Sequence, residues 1–248
     1  MLAIYRKELK SYFITPVGYV YVGIFLALTA LIFCYTTLIS NSYDTTSYFS
    51  MMIFTFVVLI PLLTMKLFSE EKKLRTEQML LTAPVTITGM VFGKYLAALT
   101  MFVGSVLLSC INFIPLYAVA NQERAEAASN AIHIGPSGAQ IIGSLIGVIL
   151  VGAAFIAVGM LISTLTENQL ASAVLSVAIL LLMIVLGFVN NFISNYAVRF
   201  IIDWISVLSR FASFGYGRFD FAALLYYLSL TSVFIFLTIR VYEKRRWG

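Results

Sequence analysis

Residues 139–164 read AQIIGSLIGVILVGAAFIAVGMLIST, twenty-six positions without one charged side chain. A helix rises 1.5 Å per residue, so about 20 apolar residues cross the roughly 30 Å of hydrocarbon in a bilayer. This stretch is long enough for one crossing. It is the apolar part of a charge-free run over 127–166, whose front is the polar IHIGPSG. Five further charge-free runs occupy 11–43, 45–65, 95–122, 168–198 and 221–239. In lipid every backbone N–H and C=O must be satisfied internally, which leaves helices or closed barrels. The runs lack the period-two alternation of barrel strands. An apolar content of 61% against 11% charged residues leaves too little polar surface to cover a soluble fold of this size. The expected class is therefore all-α: one polytopic membrane domain of 248 residues with six transmembrane helices, near 17–39, 47–67, 88–119, 139–164, 170–190 and 221–241.

An even number of spans places both termini on one side. With that side taken as the cytoplasm, twelve of the sixteen Lys and Arg residues lie inside, leaving Arg124, Arg199, Arg210 and Arg218 outside. Acidic residues divide six inside to five outside, so the asymmetry belongs to the cations, as the positive-inside rule requires. The net charge of +5 then needs no nucleic acid to explain it. Residues 1–16 form a different kind of helix. Leu2, Tyr5, Leu9, Tyr12 and Phe13 share one face and Arg6, Lys7 and Lys10 the other, the pattern of an interfacial helix with cations toward anionic headgroups. Thr15-Pro16 ends it. The apolar run that follows is too long for a signal-peptide core, and no small-x-small cleavage site follows it. Cys34 and Cys110 lie inside apolar runs and read as packing residues.

Several function classes drop out. The six charge-free runs offer no Asp, Glu, Lys or Arg to couple ion movement. The one histidine, His133, cannot build an H-E-x-x-H metal site, and G-x-S-x-G is absent. No G-x-x-x-x-G-K-[ST] loop is present, so ATP is not bound in the P-loop manner. The chain reads as no enzyme itself, and any energy must come from another polypeptide. The segment SEEKKLRTEQMLLTAP at 69–84, between the second and third spans, is the candidate receiver. It crowds Glu70, Glu71, Lys72, Lys73, Arg75 and Glu77 ahead of the apolar Met79, Leu80 and Leu81, and Pro84 stops it. Ser69 reads as its N-cap with Glu70 and Glu71 in the first turn, and Thr86 or Thr88 as the cap of the next helix. An apolar tip ringed by charge fits a cleft on a soluble partner, with Glu70 and Glu71 as rim charges. Composition alone leaves open a headgroup-associated loop.

The residues themselves are more specific. E-E-K-K-x-x-T-x-Q-x-L-L-T-x-P-V followed by G-K-Y-L-A-A at 93–98 closely resembles the coupling region of type-2 ABC exporter permeases, carried by Glu70, Glu71, Thr76, Leu80, Leu81, Pro84, Val85, Gly93 and Lys94. Gln78 stands where that family more often has Glu. Toward the C-terminus, F-x-x-F-x-x-G-x-x-D (Phe211, Phe214, Gly217, Asp220), then Y-Y-L-S-L, F-L-T-x-R and K-R-R-W, resemble the gliding-motility-type branch of these permeases. The resemblance covers essentially the whole chain. It implies an elbow helix at 1–16, spans 1 and 2 over 17–67, a cytoplasmic coupling region at 68–87, spans 3–5 over 88–190, an outer re-entrant or interfacial segment at 191–220, a last span at 221–241 and a cytoplasmic tail at 242–248. It further implies a separate ABC ATPase subunit in two copies that binds ATP and Mg2+, with no cofactor on this chain. The remaining partner would be a second permease chain, identical or related, in the inner (plasma) membrane of a prokaryote. The competing readings are an ATP-driven scaffold that extracts or anchors a lipid or protein without transport, and a stand-alone channel.

Two features stay open at this level. Arg199 and Asp203 are spaced for a helical pair, and Trp204 would anchor either a re-entrant segment or a plain interfacial helix. In the fourth span Gly143, Gly147, Gly152 and Gly159, with Ala153 and Ala157, would let helices approach closely, within the chain or across a dimer seam.

Overall fold

The computed structural model describes residues 1–40, 43–73, 86–126, 135–189 and 206–247. The described residues are helical, with no strand among them. In chain order the helices are α1 (Leu2–Ile14), α2 (Pro16–Phe33), α3 (Thr46–Thr64), α4 (Lys66–Lys73), α5 (Ile87–Ser109), α6 (Phe113–Glu126), α7 (Gly138–Leu165), α8 (Gln169–Val189), α9 (Val207–Gly215) and α10 (Phe221–Trp247). Six helical stretches are long and apolar enough to cross a membrane: Pro16–Ile39, Thr46–Lys73, Ile87–Asn121, Gly138–Leu165, Gln169–Phe188 and Phe221–Arg246. The chain is a multi-pass membrane protein.

The spans are not equivalent. In their most apolar windows the second and fourth are 61% and 67% buried, against 28% for the first, fifth and sixth. Hence α3 and α7 form the centre, while α2, α8 and α10 turn most of their apolar surface away from the bundle. Lipid tails are as apolar as leucine, so helix association here depends on close packing rather than on the hydrophobic effect. The glycines of α7 show how. A Cβ at Gly152 would lie 2.1 Å from the Phe102 ring of α5, and one at Gly159 would lie 2.4 Å from the Thr64 hydroxyl of α3. At the far end, Gly147 admits the rings of Phe211 and Phe214 from α9. The small-residue stripe thus seats three different helices of the same chain, which makes it internal packing.

Both termini lie at one end of the bundle, called here the base. Met1 sits against Gly89 and Gly93 at the start of α5, and Arg245 near the end of α10 reaches the last turn of α7. At the opposite end, the top, the ring centroids of Phe33, Tyr48, Phe49 and Phe113 lie 5.1–6.1 Å apart, bracing α2, α3 and α6.

Some boundaries differ from the sequence reading. The third span, expected as one helix over 88–119, changes to a tighter 3₁₀ turn at Cys110–Asn112. Pro115 follows at the third position of α6, where a missing N–H is tolerated, and α6 continues to Glu126, into the loop expected from 120. The first span ends in a π-helical turn, Cys34–Ile39. The expected tail at 242–248 is instead the last part of α10, which stays helical to Trp247. Of the α1 stripe, Tyr12 is buried and Tyr5 and Leu9 are half-buried, while Leu2 and Phe13 are exposed on the outer surface. The segment 74–85, His133, Arg199, Asp203 and Trp204 lie outside the described residues.

Candidate functional site

The base is where α1, α4 and α5 converge, and Lys94 is the reason. Gly93 lets α1 cross close to α5, since a Cβ there would meet the Met1 carbonyl at 3.2 Å and the Ile4 side chain at 3.3 Å. One residue on, the Lys94 side chain turns into the junction and is 1% exposed. An ammonium group has three N–H donors, and all three are used. They reach Glu8 Oε1 of α1 at 2.9 Å, Glu71 Oε1 of α4 at 2.8 Å and the Leu67 carbonyl at 2.6 Å. The Phe68 ring lies 5.0 Å from Nζ, a cation–π distance. Lys7 adds a second cation 3.6 Å from both carboxylates. Two positive and two negative charges therefore balance within the cluster. The side chains of Glu8 and Glu71 are only 13% and 14% exposed, so water screens them little.

Tyr12 extends the α1 contact. Its hydroxyl donates to the Leu63 carbonyl at 2.9 Å, just before the α3–α4 joint. Burial pushes the phenol pKa up, with the Glu8 carboxylate, Tyr21 and the Glu70 carboxylate adding in the same direction. Tyr12 therefore remains a neutral donor.

On its other side α4 is tied to the end of α7. The Phe68 and Ser69 amides near the start of α4 both donate to Ser163 Oγ, at 3.1 and 3.2 Å, and Ser163 Oγ donates to the Met65 carbonyl at 3.3 Å. Ser163 acts as the cap of α4 from another helix. The expected N-cap at Ser69 is thereby corrected: α4 begins at Lys66, and Ser69 lies within it, fully buried, donating to the Met65 carbonyl. Lys72 donates to the carbonyls of Thr164 and Thr166, and Arg245 Nη2 to Thr164 at 2.8 Å. Those carbonyls close α7 without an intrahelical partner, and cations are favoured at that helix end. The Phe68 and Tyr242 rings, 4.8 Å apart, bring in α10.

The sequence-predicted residues sort unevenly onto this arrangement. Glu71 is not a rim charge, because it is held in the buried cluster. Glu70 is half-buried beside it. Thr76, Gln78, Leu80, Leu81 and Pro84 lie outside the described residues. Thr86, not Thr88, caps α5, accepting from the Gly89 amide at 3.2 Å. The second motif lies at the top, far from the first in the fold, and is a packing device. Phe211 and Phe214 are buried against α7. Gly217 takes φ of +71°, which a side chain would resist, and this turn redirects the chain into α10. Asp220 Oδ1 accepts from the Ala222 amide at 2.9 Å, serving the first turn of α10. Thr46 Oγ1 donates to the Gly215 carbonyl at 3.0 Å, tying α9 to α3.

Sequence reasoning missed Lys7, Glu8, Ser163 and Arg245 as members of the base site. A signal existed for Glu8, which is the only carboxylate in residues 1–16 and sits four residues from both Ile4 and Tyr12 on the packed face. Ser163 gave none, being one hydroxyl among many in apolar helices. No protein-family model matches the chain, and no curated protein matches it.

Proposed function

We propose that this chain is the permease subunit of an ATP-driven exporter. In this reading a separate ABC ATPase, in two copies, binds and hydrolyses ATP. A second permease chain faces this one in a prokaryotic plasma membrane, and the base is cytoplasmic. The observation that carries the reading is the Lys94 cluster. A segment that receives force from a soluble partner must be rigidly joined to the spans it moves. The segment 74–85 follows α4 directly in the sequence. That helix is bound through Glu71 to α1 and α5 and through Lys72 and Ser163 to α7. A push on the segment would thus reach four helices at once. The resemblance of residues 70–98 to permease coupling regions supports the same role. A sequence with no phosphate-binding loop fits a reading in which a partner supplies the energy.

The test is Leu80→Asp and, separately, Leu81→Asp in the full chain. Truncating a buried interface anchor costs about 2 kcal/mol or more, roughly a thirty-fold loss of affinity, and an unpaired carboxylate in an apolar cleft adds to that. The measurement is the ATPase subunit retained on a tagged permease, with permease-stimulated ATP turnover. Both should fall while membrane insertion stays normal. Normal retention and turnover would instead make 74–85 a headgroup loop. ATP dependence without cargo flux would favour the scaffold reading, and flux from vesicles holding this chain alone would favour a channel.

A further inference from the structure

Between the first two turns of α2 and the last turn of α3 the bundle surface is grooved. Pro16, Val17, Val20 and Ile24 line one side, Leu62 and Met65 the other, and the groove has a volume of about 220 Å3. Val20 and Ile24 are 56% and 40% exposed, so the groove opens outward from two membrane spans. Its lining is apolar side chains and the ring of Tyr21, with no charged group. Residues 16–24 cover about 12 Å at 1.5 Å per residue, well under half of a roughly 30 Å hydrocarbon layer. The groove therefore lies within the leaflet next to the base.

From this placement we infer that the groove is a site for one acyl chain of an anionic phospholipid. The size suits a single chain: a dry apolar cavity of about 150 Å3 already takes a benzene ring, so 220 Å3 takes a longer piece of hydrocarbon, and the apolar lining offers a headgroup no partner. Charge at the mouth selects the lipid. Lys66 follows Met65 directly and is half-exposed, and exposed Arg6 and Lys10 lie on α1, which runs into Pro16. The turn from α1 into α2 is tight, because a Cβ at Gly18 would lie 2.2 Å from the Tyr12 carbonyl, and Lys66 lies one helical turn beyond the lining Leu62. Hydrocarbon gains no hydrophobic free energy by leaving other lipid tails for the groove. Retention must come from dispersion contacts in a fitted slot and from the headgroup's charge. The inference stands on the spans and the cations, and not on the transport reading.

The experiment uses the full chain in nanodiscs containing phosphatidylglycerol that carries a diazirine on its acyl chain. Crosslinks should concentrate in residues 16–24 and 62–65, and the same probe on phosphatidylcholine should label them less. Removing Lys10 and Lys66 as Lys10→Gln and Lys66→Gln should cut the phosphatidylglycerol preference roughly five-fold per cation. Val20→Trp, which fills the groove, should abolish this labelling, whereas Val174→Trp on the exposed face of α8 should leave it intact. Labelling of the unaltered chain spread evenly over the lipid-facing helices would overturn the site, and so would equal labelling by the two lipids. A photoreactive phenylalanine analogue placed at position 20 that crosslinks to a polypeptide in place of lipid would assign the groove to a protein contact and overturn it equally.

Discussion

Lys94 illustrates how one residue can be both costly and required. A buried ammonium carries a desolvation penalty that is offset only when its partners are complete, and here all three donors are satisfied. Removing it strands Glu8 and Glu71 together. Lys94→Met keeps the aliphatic stem, so the packing survives and the charge effect stands alone. Breaking a buried pair in this way costs about 3–5 kcal/mol, to be seen as a lowered unfolding midpoint of the purified protein. Glu71→Gln should fall in the same direction, while Glu70→Gln should stay within about 0.5 kcal/mol. The double variant Glu8→Gln with Lys94→Met should cost less than the sum of its parts, because the stranded charge is reduced. A Lys94→Met protein that melts with the parent would refute the cluster's structural weight. From sequence, Glu70 and Glu71 were indistinguishable neighbours. Only the rotation of α4 about its axis, set by its packing on α7, turns Glu71 toward Lys94.

At the scale of elements, α4 is the helix whose existence was legible and whose construction was not. The run of charges marks a helix leaving the membrane, but a Ser ahead of two Glu residues invites an N-cap that the fold does not use. The α3 chain reaches Met65 still helical, so Ser69 is already inside α4, and its amide and that of Phe68 turn to Ser163. Ser163→Ala should therefore lower protection of those two amides in hydrogen exchange and cost about 1 kcal/mol, the usual scale of a lost cap. Ser69→Ala, by contrast, should leave them protected. The reverse pattern would restore the local cap. In α7 the glycine stripe was plain in the sequence, but its partners were not. Spacing identifies a face that admits close neighbours and says nothing of which neighbours arrive, here Phe102, Thr64 and the α9 aromatics.

For the whole molecule, the base and the top differ in chemistry. The base gathers the Lys94 cluster, Lys72 and Arg245, and the top is closed by aromatic rings and the Gly217 turn. Both termini share the base, and the sequence counts twelve of sixteen cations on that side, so the base should face the cytoplasm. Asn130→Cys and Lys73→Cys, each in a chain with Cys34 and Cys110 replaced, check this with a membrane-impermeant maleimide on intact cells. Position 130 should label from outside and position 73 only after permeabilisation. Labelling of 130 from the cytoplasmic side alone would invert the topology.

Length and polarity decide membrane crossing locally, so the six spans, their parity and the small-residue face of α7 were determined by the sequence alone. The same holds for the break at Thr15-Pro16, since proline acts on its own helix. The tertiary structure decided everything that depends on which helices meet. Lys94 finds partners 86 and 23 positions away, and Ser163 serves amides 95 and 94 positions before it. No periodicity encodes such pairings, because they follow from how the helices are rotated and stacked, and in lipid that is set by close packing of side chains rather than by burial of apolar surface.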